Sequence, residues 1–182
     1  MTNTTRAVLF TSFLLGITGY AQEVLDQAYY PTNFDTFAVS FGASHGQSFT
    51  VGVTGSLTRV EVLIGRNESV TNAEVEWILR KTIAGVPAAG KSGVLACGTV
   101  PYGSLSVGYT FVSCLIRPGT VRVKPGDVLA ITLSCERLFT WPGSWSVSYA
   151  RGSHQVSAFP PSKWQEDTTT DLTFKTYVTP PP

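Results

Sequence analysis

The stretch QSFTVGVTGSLTRVEVLIG, residues 47–65, decides how the chain is read. After the turn formers Thr54-Gly55-Ser56, the residues Val60, Val62 and Ile64 alternate with Arg59, Glu61 and Leu63. A period of two belongs to a strand with one apolar face, and that face needs a second layer to keep it from water.

The same rhythm runs outward in both directions. AEVEWILRK (73–81) places Val75, Trp77 and Leu79 on one side and Glu74, Glu76 and Arg80 on the other. A short helix fits it less well, because TIAGVPAAGKSG follows and is rich in turn formers. RPGTVRVKPGDVLAITLSC (117–135) reads as two strands about Lys124-Pro125-Gly126-Asp127, with Pro125 and Gly126 at the central positions of a type II turn. Leu129, Ile131 and Leu133 share one face after it. TFAVSFG (36–42), GVLACGTV (93–100), YTFVSCLI (109–116), SWSVSYARG (144–152) and TDLTFKTYV (170–178) complete nine or ten short strands, with no helix. Short alternating strands at regular spacing predict an all-β, antiparallel sandwich or barrel with one face of each sheet wet.

Composition fits a β-rich exported chain of one domain. Of 182 residues, 43% are hydrophobic and only 14% charged, and the formal net charge is +1. No basic stripe is present, which argues against a nucleic-acid partner. Residues 1–21 read as a signal peptide: Arg6 precedes the apolar run Ala7–Ile17, and Gly19-Tyr20-Ala21 sets small residues for cleavage before Gln22. That run is too short for a membrane anchor, so the mature protein is expected to have no membrane span and to be secreted or periplasmic. The domain is then 22–178, followed by a Pro-rich tail, 179–182.

The order of these pieces resembles jelly-roll domains of secreted bacterial proteins, of the galactose-binding or carbohydrate-binding-module type. The phrases that carry the likeness are QSFTVGVTGSLTRVEVLI, VEWILRKTIAGVP, VRVKPGDVLAITLS and DLTFKTYV. The resemblance implies a jelly-roll-like sandwich and, for a chain without the sorting anchor of many such proteins, a released binding module. It also implies a structural calcium near the first and last strands, for which Glu166, Asp167 and Asp171 in QEDTTTD are the candidate ligands.

Residues 139–164 concentrate the aromatic side chains. Indoles stack on the flat C–H faces of sugars, and a few oriented polar groups then fix a small polar ligand. Trp141 and Trp164, beside Pro and polar residues, are the expected platform, with Tyr149, Arg151 and His154 beside them. Trp145, Val147 and Tyr149 share an alternating face and are expected to point inward. Cys97 and Cys114 lie symmetrically about Leu105-Ser106; a hairpin there would pair them as a disulfide, with Cys114–Cys135 the alternative.

Catalysis has thinner support. Glu74 and Glu76 share a strand face, but glycosidase carboxylates usually come from different strands of a cleft. His45 and His154 have serines nearby but no nucleophile motif. Gly85–Ser92 matches the Walker pattern, yet no helix follows to present its amides to a phosphate. Asn67-Glu68-Ser69 fits a glycosylation acceptor, meaningful only in a eukaryotic source. The expected protein is therefore a non-catalytic binding module for glycan or a surface polymer, without an obligatory cofactor. A structural or adhesive protein that self-associates through strand edges is the alternative, and a secreted hydrolase comes third.

Overall fold

A computed structural model describes residues 22–33, 35, 38–39, 43–67, 69, 72–158 and 163–181. The expected signal peptide, 1–21, lies outside these residues. Ten strands carry the architecture: β1 Val24–Tyr29, β2 Ala43–Thr50, β3 Gly55–Arg66, β4 Glu74–Ile83, β5 Val94–Pro101, β6 Thr110–Leu115, β7 Val128–Cys135, β8 His154–Ala158, β9 Gln165–Asp167 and β10 Phe174–Thr179. Two-residue pairings such as Gly143–Ser144 with Asp171–Leu172 join them. Among the described residues no helix is long and apolar enough to cross a membrane.

The strands form two antiparallel sheets. Sheet I runs β1-β10-β3-β6 and sheet II runs β9-β8-β2-β7-β4-β5. Setting β8 and β9 aside, the remaining strands give the two orders β1-β10-β3-β6 and β2-β7-β4-β5. That is the doubly Greek-key order of a jelly roll, in which the chain repeatedly crosses between sheets. The expected all-β, jelly-roll-like sandwich is the architecture found.

Alternation builds the core. Val60, Val62 and Ile64 of β3 face Trp77 and Leu79 of β4 and Ile131 and Leu133 of β7 within one buried cluster. Phe49 and Phe174 meet across the sheets with ring centroids 5.7 Å apart. A bulge at Thr58 shifts the phase of β3, so that Leu57 and Val60 both point inward. The turn before β7 has the expected form: Gly126 sits at φ 91°, and the Asp127 amide donates to the Lys124 carbonyl at 3.1 Å. Sheet II departs from the expected wet outer face. Ser44, Ser48, Ala130, Thr132 and Ser134, all on that side, are buried as well.

The crossing between sheets also overturns the expected disulfide. Cys97 lies on β5 of sheet II opposite Ile78, and Cys114 lies on β6 of sheet I opposite Val60. The segment between them is an inter-sheet crossover rather than a hairpin. Cys97 is an exposed free thiol, and Cys114 is a buried one, its pKa pushed up to about 12 by desolvation. Cys135 faces Val75 in the core and its sulfur accepts the Arg137 amide at 3.3 Å.

Candidate functional site

The aromatic region folds in the opposite sense to the expectation. Trp141 is fully buried, and its indole N–H donates to the Thr173 carbonyl at 2.9 Å. Trp164 is 6% exposed. Neither can serve as a platform. Trp145, expected inside, is 64% exposed, and Val147 beside it is 51% exposed. Alternation fails here because the ladder ends. Gly143–Ser144 pairs with Asp171–Leu172 for two residues only, and the chain then bends away from the sheet.

The bend is braced. Ser144 Oγ accepts the amides of Ser146 and Val147, each at 3.2 Å. The Tyr29 hydroxyl of β1 donates to the Val147 carbonyl. Asp171 Oδ2 accepts the Tyr149 amide at 2.7 Å, while its Oδ1 accepts from Gln47 of β2 at 2.9 Å. The Tyr149 hydroxyl donates to Gln27 Oε1 at 2.9 Å, and Arg151 Nη1 reaches the same oxygen at 3.3 Å. The Tyr149 ring stands edge-on to Phe174 at 5.1 Å. Burial raises the Tyr149 hydroxyl to about 12, against the lowering effect of Arg151, so it stays a donor at physiological pH. Burial likewise raises Asp171, opposed by the Tyr149 amide and Gln47. The loop is thus anchored to strands of both sheets while Trp145–Ser148 project into solvent. Burying a ring of this size against a partner recovers free energy that solvent exposure forgoes.

The remaining expected site residues separate. Arg151 is exposed at the base of the loop, and Tyr149 packs beneath it. His154, 2% exposed, faces into the sandwich edge instead of a ligand. Its Nδ1 lies 3.1 Å from Asp167 Oδ2, and its Nε2 lies 2.9 Å from His45 Nδ1. The two imidazoles are within 8° of parallel with centroids 5.2 Å apart. That separation exceeds the nitrogen distance by about two ring radii, so the nitrogens lie on the line of centres and the rings are coplanar. The contact is an in-plane N–H···N hydrogen bond rather than a face-to-face stack. With Asp167 ionised, the tautomers are ordered: His154 Nδ1–H donates to Asp167, and His154 Nε2 accepts from His45 Nδ1–H.

The expected calcium ligands are not gathered. Glu166 accepts from the Ser153 hydroxyl at 2.7 Å, Asp167 is engaged by His154 and Thr169, and Asp171 by Gln47 and Tyr149. Among the described residues no group of His, Cys, Asp or Glu is arranged to hold a metal ion. Glu74 and Glu76 line a shallow depression of about 290 Å³ with Glu136, and Glu76 is hydrogen-bonded by Ser134 at 3.2 Å. The Walker-like segment is a cover over sheet II. Its Ala88 and Gly90 carbonyls both accept from Arg80 Nη1 at 3.2 Å, and a single 3-10 turn, Lys91–Gly93, follows. Carbonyls converging on a cation are the reverse of a phosphate cradle. Asn67 Oδ1 accepts from Thr140 at 2.6 Å.

No family model matches the chain, and no characterised protein matches its sequence.

Proposed function

We propose that the protein is an exported, non-catalytic binding module that holds a glycan or a similar hydroxyl-rich surface polymer on the Trp145 loop. The observation that carries the reading is a tryptophan 64% exposed at the tip of a loop fixed by hydrogen bonds to both sheets. An exposed indole carried on a backbone already braced loses no loop entropy on stacking, so more of the contact energy appears as affinity. Val147 widens the apolar patch, and the exposed Arg151 supplies donors for ring hydroxyls. The apolar leader, residues 1–21, supports export.

A glycan array followed by titration of the tryptophan emission tests this. Trp145→Ala should weaken binding at least tenfold, about 1.4 kcal/mol, with an unchanged far-ultraviolet circular dichroism spectrum. Trp145→Phe should restore part of the loss. Binding that is indifferent to Trp145, or no glycan bound at all, would remove the assignment.

A further inference from the structure

The open side of β6 carries an inference independent of the Trp145 loop. The Ile116 amide donates to the Thr58 carbonyl at 2.9 Å, which fixes the phase of the β6–β3 ladder. In an antiparallel pair hydrogen-bonded and non-hydrogen-bonded positions alternate, so Val112 and Cys114 bond inward to β3. Phe111, Ser113 and Leu115 therefore direct their N–H and C=O groups away from the sheet, and among the described residues no strand meets them.

Exposed edges are normally blunted by charge, proline, a bulge or brevity. The other edges show these devices. β1 has a register shift at Asp26, β5 has a bulge opposite Arg80 and ends at Pro101, and β9 has three residues. By contrast β6 pairs without a register shift, and TFVSCLI (110–116) holds no proline and no charged residue. Its one ionisable group, the Cys114 thiol, is buried and neutral. Leu115 is 70% exposed on the outer face of the sheet, the same face as Phe111 and Ser113.

We infer that β6 is an interface for a second copy of this chain, paired antiparallel about a two-fold axis at Ser113. This register sets Ser113 opposite the partner's Ser113 and lays Leu115 against the partner's Phe111, and the reverse. Each outward N–H then finds an outward C=O, and the exposed leucine is covered. The contact is isologous and closed, and sheet I becomes continuous across both copies. A one-residue slip would set each outward N–H and C=O against groups already bonded to the partner's own β3, so the ladder excludes odd slips, and among the even ones only the axis at Ser113 lays both Leu115 side chains against Phe111.

Sedimentation equilibrium and light scattering on the 22–182 chain, from micromolar to millimolar, should show a monomer–dimer equilibrium. The Ser113 amide is unused within one copy, so Ser113→Pro leaves the β6–β3 ladder intact and should give a monomer. If that variant misfolds by circular dichroism, Leu115→Glu tests the same face without touching the backbone and should also give a monomer. For the register, Ser113→Cys is made in a Cys97→Ser background and oxidised with copper phenanthroline. Hydrogen-bonded antiparallel partners have Cα atoms about 5.5 Å apart, within the range of roughly 4.4–6.8 Å that a disulfide spans, so a covalent dimer should form. Thr110→Cys, remote from the axis, should not cross-link. A chain monomeric throughout, or a dimer that survives both Ser113→Pro and Leu115→Glu, overturns the inference. The Trp145→Ala variant should dimerise normally, so failure here is distinguishable from failure of the glycan reading.

Discussion

His45, His154 and Asp167 make pH dependence a property of single side chains. Burial lowers His45 from 6.5 to about 4, helped by the neighbouring His154, and burial also lowers His154 against the pull of Asp167. An unfolded chain binds a proton on each imidazole near pH 6.5, whereas the folded chain resists. The unfolded state therefore binds more protons as the pH falls from 6.5 to about 4, and stability falls with it. Below about 4 His45 is protonated in both states and adds no further loss. For Asp167, burial would raise the pKa, but Thr169 and His154 outweigh it and bring it to about 2. Its contribution is complete above the ordinary carboxylate range and disappears only as the pH drops through 2. Urea midpoints should thus decline between pH 6.5 and 4, with His45 contributing on the order of 2–3 kcal/mol. His45→Gln should flatten much of that decline; a parallel profile in the variant would show that the pair does not control it. None of this relay was legible in the sequence. Its partners sit 109 and 13 residues from His154, and only the β2–β8–β9 register brings them together.

At the scale of elements, legibility followed the ladder. Where a strand is paired along its length, as β3, β4 and β7 are, alternation correctly placed Val62, Trp77 and Ile131 inside. Where pairing lasts two residues, as at Gly143–Ser144, the period has no meaning, and Trp145 and Trp141 were exchanged between surface and core. Symmetry of Cys97 and Cys114 failed for a related reason. A hairpin and a crossover between sheets look alike in sequence, because both are short polar loops between β-rich runs. Turns with a demanding backbone were legible, since the Lys124–Asp127 turn needs a left-handed residue that glycine supplies. At φ 91° in open space, Gly126→Ala should cost about 1–2 kcal/mol from backbone strain alone. Gly98 offers the contrasting case. A Cβ there would come within 2.7 Å of the Trp77 indole, so Gly98→Ala should cost about 1–3 kcal/mol through core overpacking. Urea denaturation separates the two mechanisms: Trp77→Leu should relieve the Gly98→Ala penalty and leave that of Gly126→Ala unchanged. If the two penalties respond alike to Trp77→Leu, the steric account is wrong.

For the whole molecule, the jelly-roll order makes the last strand a condition for the first. β10 lies between β1 and β3, and its Phe174, Thr176 and Val178 are wholly buried. Thr176 Oγ1 accepts the Gln27 amide at 3.0 Å, and Phe174 touches Phe49 of the opposite sheet and Tyr149 beneath the Trp145 loop. Without β10, β1 has no partner and sheet I is reduced to β3 and β6, too little to cover the inner face of sheet II. Contacts between residues some 150 positions apart must form before sheet I is complete, and their loop-closure cost slows the search. Ending the chain at Thr173 should therefore abolish the cooperative transition in urea, whereas ending it at Thr179 should change stability by no more than about 0.5 kcal/mol. The intact chain should refold over milliseconds to seconds in stopped-flow tryptophan fluorescence, slower than a protein of local contacts. The buried Trp77 and Trp141 should report the same rate, because one sits in each half of a core that closes only when both terminal strands have docked. A chain ending at Thr173 that still melts cooperatively would mean that sheet II and its loops fold as an autonomous unit, and that β1 and β10 merely decorate it.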